Sequence, residues 1–399
     1  MDPVSPFPAI ASVLMAVATC FFLVNRFGAP TEQERYATID GLRGYLAIFV
    51  FLCHSSMLYF YLRTGQMKLP PSNLYTQFGQ GSVTIFFMIT GFLFFSKLID
   101  GRARKIDWGR LFISRFLRLV PLYLFAMLLL FLIVAYVSHG DLNEPISKLL
   151  KGAVRWLGFT ILGLPDLNGI ENTYIIVAGV TWSLPYEWLF YFALPLLALT
   201  VRVMPPLPYV ALGIASVAGF TTIAWLGIWH PQIHHLMSFL GGIMASLLVR
   251  FEFFQKFAIG RVSSGIILVC LAVAVAFYPS PDKAVPLFLL SVVFVLVACG
   301  NNMFGVLTHP VSRTLGQMTY SIYLLHGITL YVTFNFILGV TEARALSSVS
   351  HWLLVIGITP ILVFVCFVTF RLIENPAMRS TTNVTAWLRS RLTNHTSLS

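Results

Sequence analysis

The run Tyr45-Leu-Ala-Ile-Phe-Val-Phe-Leu-Cys-His54-Ser-Ser56 decides the fold class, because it is apolar nearly throughout and yet contains one ionisable side chain. The apolar stretch around it, residues 44–62, is long enough to cross a bilayer as a helix. Arg43 comes eleven positions before His54, so the two side chains share one helix face and lie about 16 Å apart along the axis. Ionisable groups inside a bilayer cost roughly 2.5–3.5 kcal/mol on insertion scales. We therefore expect Arg43 and His54 to line one polar passage.

The whole composition agrees with this assignment to the membrane. Of 399 residues, 57% are hydrophobic and only 10% are charged, whereas soluble domains average about 25% charged residues. The pattern predicts an all-α, polytopic membrane helix bundle with about eleven transmembrane helices. The predicted spans are residues 8–25, 44–62, 80–98, 118–137, 183–201, 208–229, 234–250, 262–278, 285–300, 319–339 and 352–372.

The distribution of positive charge predicts the orientation. With these spans, nineteen of the 26 Lys and Arg residues fall on one side, which we assign to the cytoplasm. The N-terminus is then outside and the C-terminus inside, in the inner (cytoplasmic) membrane. No Lys or Arg precedes Arg26, which favours an uncleaved first helix over a signal peptide. The formal charge of +11 therefore indicates topology and the bilayer as partner, and no nucleic acid.

Two connecting segments differ from the short loops of a simple helix bundle, one in its charge and the other in its length. The cytoplasmic segment 97–118 contains seven cations. The outer segment 138–182 is long and includes a weakly amphipathic stretch, residues 146–164, which we interpret as an interfacial or re-entrant helix pair.

Candidate anion-binding side chains lie at the predicted cytoplasmic side. Arg115 and Arg118 are three positions apart and therefore neighbours on one helix face. Guanidinium groups bind phosphates well, so paired arginines fit a polyanionic cofactor such as coenzyme A. Anionic lipid headgroups are the alternative partner. Asp40 lies one turn from Arg43 on the second helix.

Candidate catalytic groups are predicted deeper in the membrane than these anion-binding side chains. The His54 imidazole could act as a general base towards a hydroxyl, or could form only a helix–helix hydrogen bond. Glu187 begins the fifth predicted helix, where a lone carboxylate must be protonated, paired or in contact with water.

Aromatic side chains surround these groups. Trp182 and Tyr186 form either an interfacial belt or faces that stack on a sugar. Tyr323 and His326 share a helix face with Tyr320, as acceptor-binding groups or as a buried hydrogen-bond chain. We expect Glu374 to pair with a local arginine. His230, His234 and His235 have no nearby ligand that would complete a metal site, so no metal is expected.

Six phrases, taken together, resemble the acyltransferase family 3 membrane proteins, whose members O-acetylate bacterial surface polysaccharides. The resemblance covers about residues 36–378. The phrases are Ile39-Asp-Gly-Leu-Arg43 with His54, Phe86-Phe-Met-Ile-Thr-Gly-Phe92, Arg115-Phe-Leu-Arg118, Thr181-Trp-Ser-Leu-Pro-Tyr-Glu187, Tyr320-Ser-Ile-Tyr-Leu-Leu-His326 and Ile373-Glu-Asn-Pro376.

The resemblance implies three parts. Residues 1–35 would form an extra transmembrane helix and a cytoplasmic linker, residues 36–378 a ten-helix acyltransferase core, and residues 379–399 a short cytoplasmic tail. Some relatives also carry a C-terminal SGNH-type domain that completes the transfer. We expect this core to act directly, or with a separate periplasmic transferase or polysaccharide-export partner.

The resemblance also implies an activity. The chain would move an acyl group, with acetyl-CoA as donor, from the cytoplasm to a hydroxyl of an extracytoplasmic saccharide or glycolipid. Asp40, Arg43, Arg115 and Arg118 would bind the donor, and His54 and Glu187 would be catalytic. Trp182, Tyr186, Tyr323 and His326 would contact the acceptor. The alternatives are a transporter or flippase for a polar or glycolipid substrate, and a structural subunit of an export machine.

Overall fold

A computed structural model describes residues 2–28 and 36–396, with side chains through residue 391. Residues 29–35, where we placed most of the cytoplasmic linker and Arg35, lie outside the described residues. In the described ranges every regular element is helical, which confirms the all-α prediction. The helices are α1 Pro6–Phe27, α2 Ala37–Thr64, α3 Asn73–Asp100, α4 Trp108–Val137, α5 Ile146–Leu157, α6 Leu184–Thr200, α7 Leu207–Trp225, α8 Ile233–Leu248, α9 Glu252–Ala258, α10 Arg261–Phe277, α11 Ala284–Ala298, α12 Pro310–Gln317, α13 Thr319–Tyr331, α14 Val340–Ala345, α15 Ser348–Thr369, α16 Asn375–Arg379 and α17 Thr381–Thr396.

Six of the described helices are long and apolar enough to cross a membrane, or up to seven if the bent pair α8–α9 counts as one span. The chain is therefore a multi-pass membrane protein. Other predicted spans fall on shorter helices, such as α10 with 17 residues and α11 with 15 residues. At about 1.5 Å per residue these helices are shorter than a hydrocarbon core of about 30 Å. The total of eleven spans stays a prediction.

The segment 97–118, which we assigned to the cytoplasm, is mostly helical, and this corrects our description of it as a loop. Helix α3 continues to Asp100, and α4 begins at Trp108. The Asp107 carboxylate accepts a hydrogen bond of 3.0 Å from the Arg110 backbone N–H and so caps α4. Because α4 begins this early, Arg115 and Arg118 lie within its first three turns.

The segment 138–182, which we assigned to the outer side, folds back into the bundle. It contains one helix, α5, followed by turns and two short 3₁₀ segments, Thr173–Val177 and Val180–Ser183, rather than the helix pair that we predicted. The Tyr123 hydroxyl donates a hydrogen bond of 2.5 Å to the Trp156 carbonyl. Tyr123 lies fourteen residues before the end of α4, about 21 Å along that helix. The segment is therefore re-entrant, and we call residues 158–183 the re-entrant loop.

The re-entrant loop packs on α13 through a glycine. A Cβ atom built on Gly327 would lie 2.3 Å from the Val177 carbonyl carbon and 2.6 Å from the Ala178 nitrogen. Only a residue without a side chain allows this approach. The contact places the loop next to His326.

A second close approach fixes the start of α2. A Cβ atom on Gly316, at the end of α12, would lie 1.8 Å from the Asp40 carbonyl oxygen. Helix α12 therefore packs against the turn of α2 that carries Asp40 and Arg43.

Candidate active site

A cavity of about 510 Å³ lies among α2, α3, α4, α6 and α13. It follows α3 from Val83 to Asp100, a rise of about 25 Å. It therefore extends through most of the thickness of a bilayer. The lining residues are Tyr36, Asp40, Arg43, Val83, Phe86, Phe87, Ile89, Thr90, Leu93, Phe94, Ser96, Lys97, Asp100, Arg115, Arg118, Leu119, Ser183, Leu184, Glu187, Tyr191, Thr319, Tyr320 and Tyr323.

One end of the cavity collects positive charge from three helices. Arg43 from α2, Lys97 from α3, and Arg115 and Arg118 from α4 all line it. Arg43 Nη1 lies 3.9 Å from an oxygen of Asp40, and both side chains are mostly buried. The fold thus brings the predicted donor-binding residues Asp40, Arg43, Arg115 and Arg118 to one cavity. Four cations in a confined space can hold a polyanion.

The wall between the two ends is largely apolar and aromatic. Phe86, Phe87, Ile89, Leu93 and Phe94 line it along α3. The guanidinium carbon of Arg115 lies 5.1 Å from the centre of the Phe94 ring, a cation–π contact. A ligand with one charged end and one extended, weakly polar arm fits this distribution.

Tyr323 closes the deep end of the cavity. Its hydroxyl oxygen lies 2.9 Å from the Ser183 hydroxyl and donates to the Val180 carbonyl at 3.1 Å. The Phe86 ring packs edge-on against it, with ring centres 6.1 Å apart. Because Ser183 and Val180 belong to the re-entrant loop, this loop and α13 together form the end wall.

A pair of imidazoles lies beyond Tyr323. The Nδ1 atom of His54 is 3.1 Å from Nε2 of His326 and 3.0 Å from the Val50 carbonyl oxygen. The Nδ1 atom of His326 is 2.9 Å from the Ile322 carbonyl oxygen. His326 is fully buried, and its ring centre lies 6.3 Å from that of Tyr323.

These contacts determine which ring nitrogen carries the hydrogen in each of the two neutral histidines. A carbonyl can only accept, so Nδ1 of His326 carries its hydrogen and its Nε2 has a free lone pair. His54 Nδ1 then faces two acceptors, Val50 O and His326 Nε2, and must carry the hydrogen of the His54 ring. The lone pair of His54 therefore lies on Nε2, where it can accept a proton from a substrate.

The continuous passage that we predicted along α2 is not present. Ala47 and Val50 lie between Arg43 and His54 on the same face and are 0% and 1% exposed. Close packing seals this part of the stripe. The cavity that begins beside Arg43 instead runs along α3 and ends at Tyr323, and His54 is not among its lining residues.

The comparison with known families agrees with this geometry. A family model described as an acyltransferase domain, acyltransferase family 3, matches residues 36–371. The chain belongs to the acyltransferase family 3. Acyltransferase MdmB of Streptomyces mycarofaciens is 25% identical over 383 residues, which cover 88% of this chain and 93% of MdmB. No solved structure matches the chain.

Within this acyltransferase, Glu187 lies inside the cavity rather than beside the outer aromatics. The Tyr191 hydroxyl donates a hydrogen bond to the Glu187 carboxylate. Arg115 lies within electrostatic reach of both side chains. The carboxylate is therefore paired, and it shares the cavity with the predicted donor-binding groups.

The structure places the four predicted acceptor-binding residues in three locations. Tyr323 lines the cavity, and His326 lies behind His54. Trp182 and Tyr186 pack around the buried His235, with ring centres 4.7 Å and 5.1 Å from it. These two aromatic residues do not line the cavity. The role of each residue towards an acceptor stays a prediction.

Two features of the acyltransferase went unrecognised in the sequence. The sequence analysis did not identify Tyr191 as a partner of Glu187, although it lies four positions after Glu187 and therefore one helical turn away. Glu374 accepts a hydrogen bond from the Ser321 hydroxyl, which was not expected, and also lies within electrostatic reach of Arg118 and Arg43. Thr369 Oγ1 donates to Ser321 Oγ at 3.1 Å. Ser321 lies inside the quoted phrase around Tyr320, so its polarity was the available signal.

Proposed function

We propose that this acyltransferase moves an acyl group, most simply acetyl, from acyl-CoA to a hydroxyl of an extracytoplasmic saccharide. The observation that carries the proposal is the cavity, which has four cations at one end, an aromatic wall, and an imidazole pair behind its deep end. The cations suit the phosphates of coenzyme A. The long apolar wall suits the pantetheine arm, which would present the thioester near Tyr323.

The chemistry follows from the free lone pair on His54 Nε2. His54 would accept the proton of the acceptor hydroxyl as its oxygen attacks the thioester carbonyl carbon. A C–O bond forms, the C–S bond breaks, and the proton passes from His54 to the departing thiolate. General-base assistance of this kind contributes about 10²- to 10⁴-fold. Direct transfer and transfer through an acyl-His54 intermediate both use this geometry.

His326 would act as a positioning residue in this reaction. Its Nε2 lone pair holds His54 Nδ1–H and so keeps the reactive lone pair on the far side of the His54 ring. It also accepts a hydrogen bond from the imidazolium that forms during transfer. Glu187, held by Tyr191, would orient Arg115 and the donor.

The proposed orientation puts the cationic end at the cytoplasm of the inner membrane, with the N-terminus outside and the C-terminus inside. The excess of Lys and Arg on this side supports it. The transporter and export-subunit alternatives gain no support from the fold or from the family match.

The test is thermal stabilisation of the purified protein by acetyl-CoA. The wild type should melt at a higher temperature as acetyl-CoA is added, because a ligand that binds only the folded state stabilises it. The Arg115→Gln/Arg118→Gln variant should lose this shift. Arg110→Gln is the matched control, since Arg110 lies on the same helix but contacts Thr382 at 3.4 Å and not the cavity.

Two results would contradict the proposal. One is a wild-type protein whose melting temperature does not change when acetyl-CoA is added. The other is a folded His54→Ala variant that transfers acetyl groups at the wild-type rate.

A further inference from the structure

On one face of α2, the side chains from His54 to the C-terminal end are partly exposed, whereas those between Arg43 and His54 are buried. His54, Met57 and Tyr61 lie at positions i, i+3 and i+7, on one stripe of the helix. All three are partly exposed, whereas Ala47 and Val50, on the other side of His54, are buried. His54 is therefore open towards the end of α2 that is opposite Arg43.

Three tyrosines from separate elements border this open stripe. Tyr61 is on α2, Tyr174 is in the first 3₁₀ segment of the re-entrant loop, and Tyr331 ends α13. Helices α2 and α13 meet at the His54–His326 contact of 3.1 Å, and Tyr61 and Tyr331 follow these two residues along their helices. The close approach of Gly327 to Val177 brings Tyr174, three residues before Val177, to the part of α13 that ends at Tyr331. In agreement with this, Tyr61 lies within electrostatic reach of both Tyr174 and Tyr331. We call the space bordered by His54 and these three tyrosines the outer groove.

The tyrosine hydroxyls are available to a ligand. In the described part of the chain, the hydrogen bonds of Tyr61, Tyr174 and Tyr331 use their backbone groups, for example their carbonyls, which accept from Gly65, Gly179 and Asn335, and none involves their hydroxyls. All three side chains are partly exposed. A phenol offers an apolar face and a hydroxyl that both donates and accepts. Three of them around one space suit a hydroxyl-rich ring.

We infer that the outer groove binds the acceptor saccharide, and that Tyr61, Tyr174 and Tyr331 orient one of its hydroxyls towards His54 Nε2. This inference rests on the proposed function for its ligand. It moves the acceptor site away from Trp182 and Tyr186, whose rings pack on His235. It also gives the two substrates separate entrances, with the His54–His326 pair and Tyr323 between them.

The first experiment maps the two entrances without requiring activity. Single cysteines are introduced at Arg43, Val50, Met57 and Tyr61 after replacement of the five buried native cysteines. A membrane-impermeant methanethiosulfonate is then applied separately to each face of sealed vesicles. Met57→Cys and Tyr61→Cys should react from the face opposite to the one that labels Arg43→Cys. Val50→Cys is the sealed control and should react from neither face.

Two labelling patterns would contradict the assignment of the outer groove as a separate entrance. One is a folded Met57→Cys protein that stays unlabelled from both faces. The other is labelling of Met57→Cys and Arg43→Cys from the same face. Gel filtration of each variant establishes that it is folded.

The second experiment tests the ligand. Transfer from acetyl-CoA to an envelope glycan fraction of the producing cell is measured for Tyr61→Phe and Tyr174→Phe. Loss of one hydrogen bond should raise the KM for the glycan about two- to tenfold. The KM for acetyl-CoA should stay at the wild-type value. Tyr209→Phe is the control, because Tyr209 packs on Trp108 and Phe112 at the start of α4, at the end of the bundle opposite the groove.

The two failures are distinguishable. A wild type that is neither stabilised by acetyl-CoA nor able to transfer its acetyl group overturns the proposed function. A wild type that transfers normally, with Tyr61→Phe and Tyr174→Phe at the wild-type KM for the glycan, overturns the acceptor assignment alone.

Discussion

At the scale of single residues, the arrangement of His54 and His326 determines which nitrogen can react. His54 Nδ1 is held by a carbonyl and by a second imidazole, so its remaining nitrogen is the one available to a substrate. The second imidazole is itself fixed by the Ile322 carbonyl. Partners of this kind orient a catalytic group by restricting its rotation and its tautomer.

Replacement of His326 by Ala should therefore lower kcat about 10- to 100-fold, the range found when an orienting partner is lost. The KM for acetyl-CoA should change little, because His326 does not line the cavity. Steady-state transfer kinetics check both values. His234→Ala, at the partly exposed neighbour of His235, is the control. A His326→Ala protein with wild-type kcat would show that the imidazole pair is only structural.

The sequence could predict many of the cavity residues but not their arrangement. Arg43, Arg115 and Arg118 were recognisable because helical spacing and charge are local properties. The His54–His326 contact joins residues 272 positions apart, which spacing within a helix cannot reveal. The burial of Ala47 and Val50, between Arg43 and His54 on α2, could likewise not be predicted from the sequence. Burial depends on which helices pack against that face.

At the scale of elements, the re-entrant loop and α13 form the end wall of the cavity together. The loop approaches α13 closely at Gly327 and is bonded to Tyr323 through Ser183 and Val180. The sequence of residues 138–182 predicted an interfacial or re-entrant helix pair, whereas the structure has one helix and a run of turns. Nine described non-glycine residues have positive φ, and Phe159, Thr160, Asn168, Asn172 and Ala178 are five of these within the loop. Only Asn commonly favours that conformation, so Phe159, Thr160 and Ala178 gave no local signal.

Gly327→Ala should destabilise the protein by about 1–3 kcal/mol, because the added methyl group would overlap the Val177 backbone. Gly357→Ala is the matched control. It is also in a helix, α15, and a Cβ atom there would meet nothing within 4 Å. Helix propensity alone favours Ala over Gly, so this control should be neutral or stabilising. Thermal unfolding in detergent measures both, and equal melting temperatures would argue against the close approach at Gly327.

At the scale of the whole molecule, apolar side chains both fill the core of the bundle and cover much of its outside, while several charged groups are kept within it. Helix α4 shows this division, since Phe116, Leu124, Leu128 and Leu132 are exposed while Arg115 and Arg118 line the cavity. The exposed apolar side chains suit lipid, and the buried cations need a polar interior. Because apolar residues are needed both in the core and on the lipid-facing surface, their share of the composition is high enough to predict the class of protein.

Orientation is the prediction that belongs to this scale. The C-terminal helix α17 packs on α4 and pairs Arg389 with Asp107 at 2.6 Å, so it lies on the side of the cationic end. A green fluorescent protein fused after Ser399 should fluoresce, and an alkaline phosphatase fused there should be inactive. The reverse result would place the cationic end outside and contradict donor entry from the cytoplasm.

The depth of the cavity has an electrical consequence. A cavity that follows about 25 Å of α3 would, when filled with water, leave a thin insulating layer between the two compartments. The voltage across the membrane then drops mainly over this layer, which contains Tyr323 and the two imidazoles. Moving one elementary charge through 100 mV is worth about 2.3 kcal/mol. In the proposed reaction, proton transfer at His54 would take place within that field, so the membrane voltage would act on its rate.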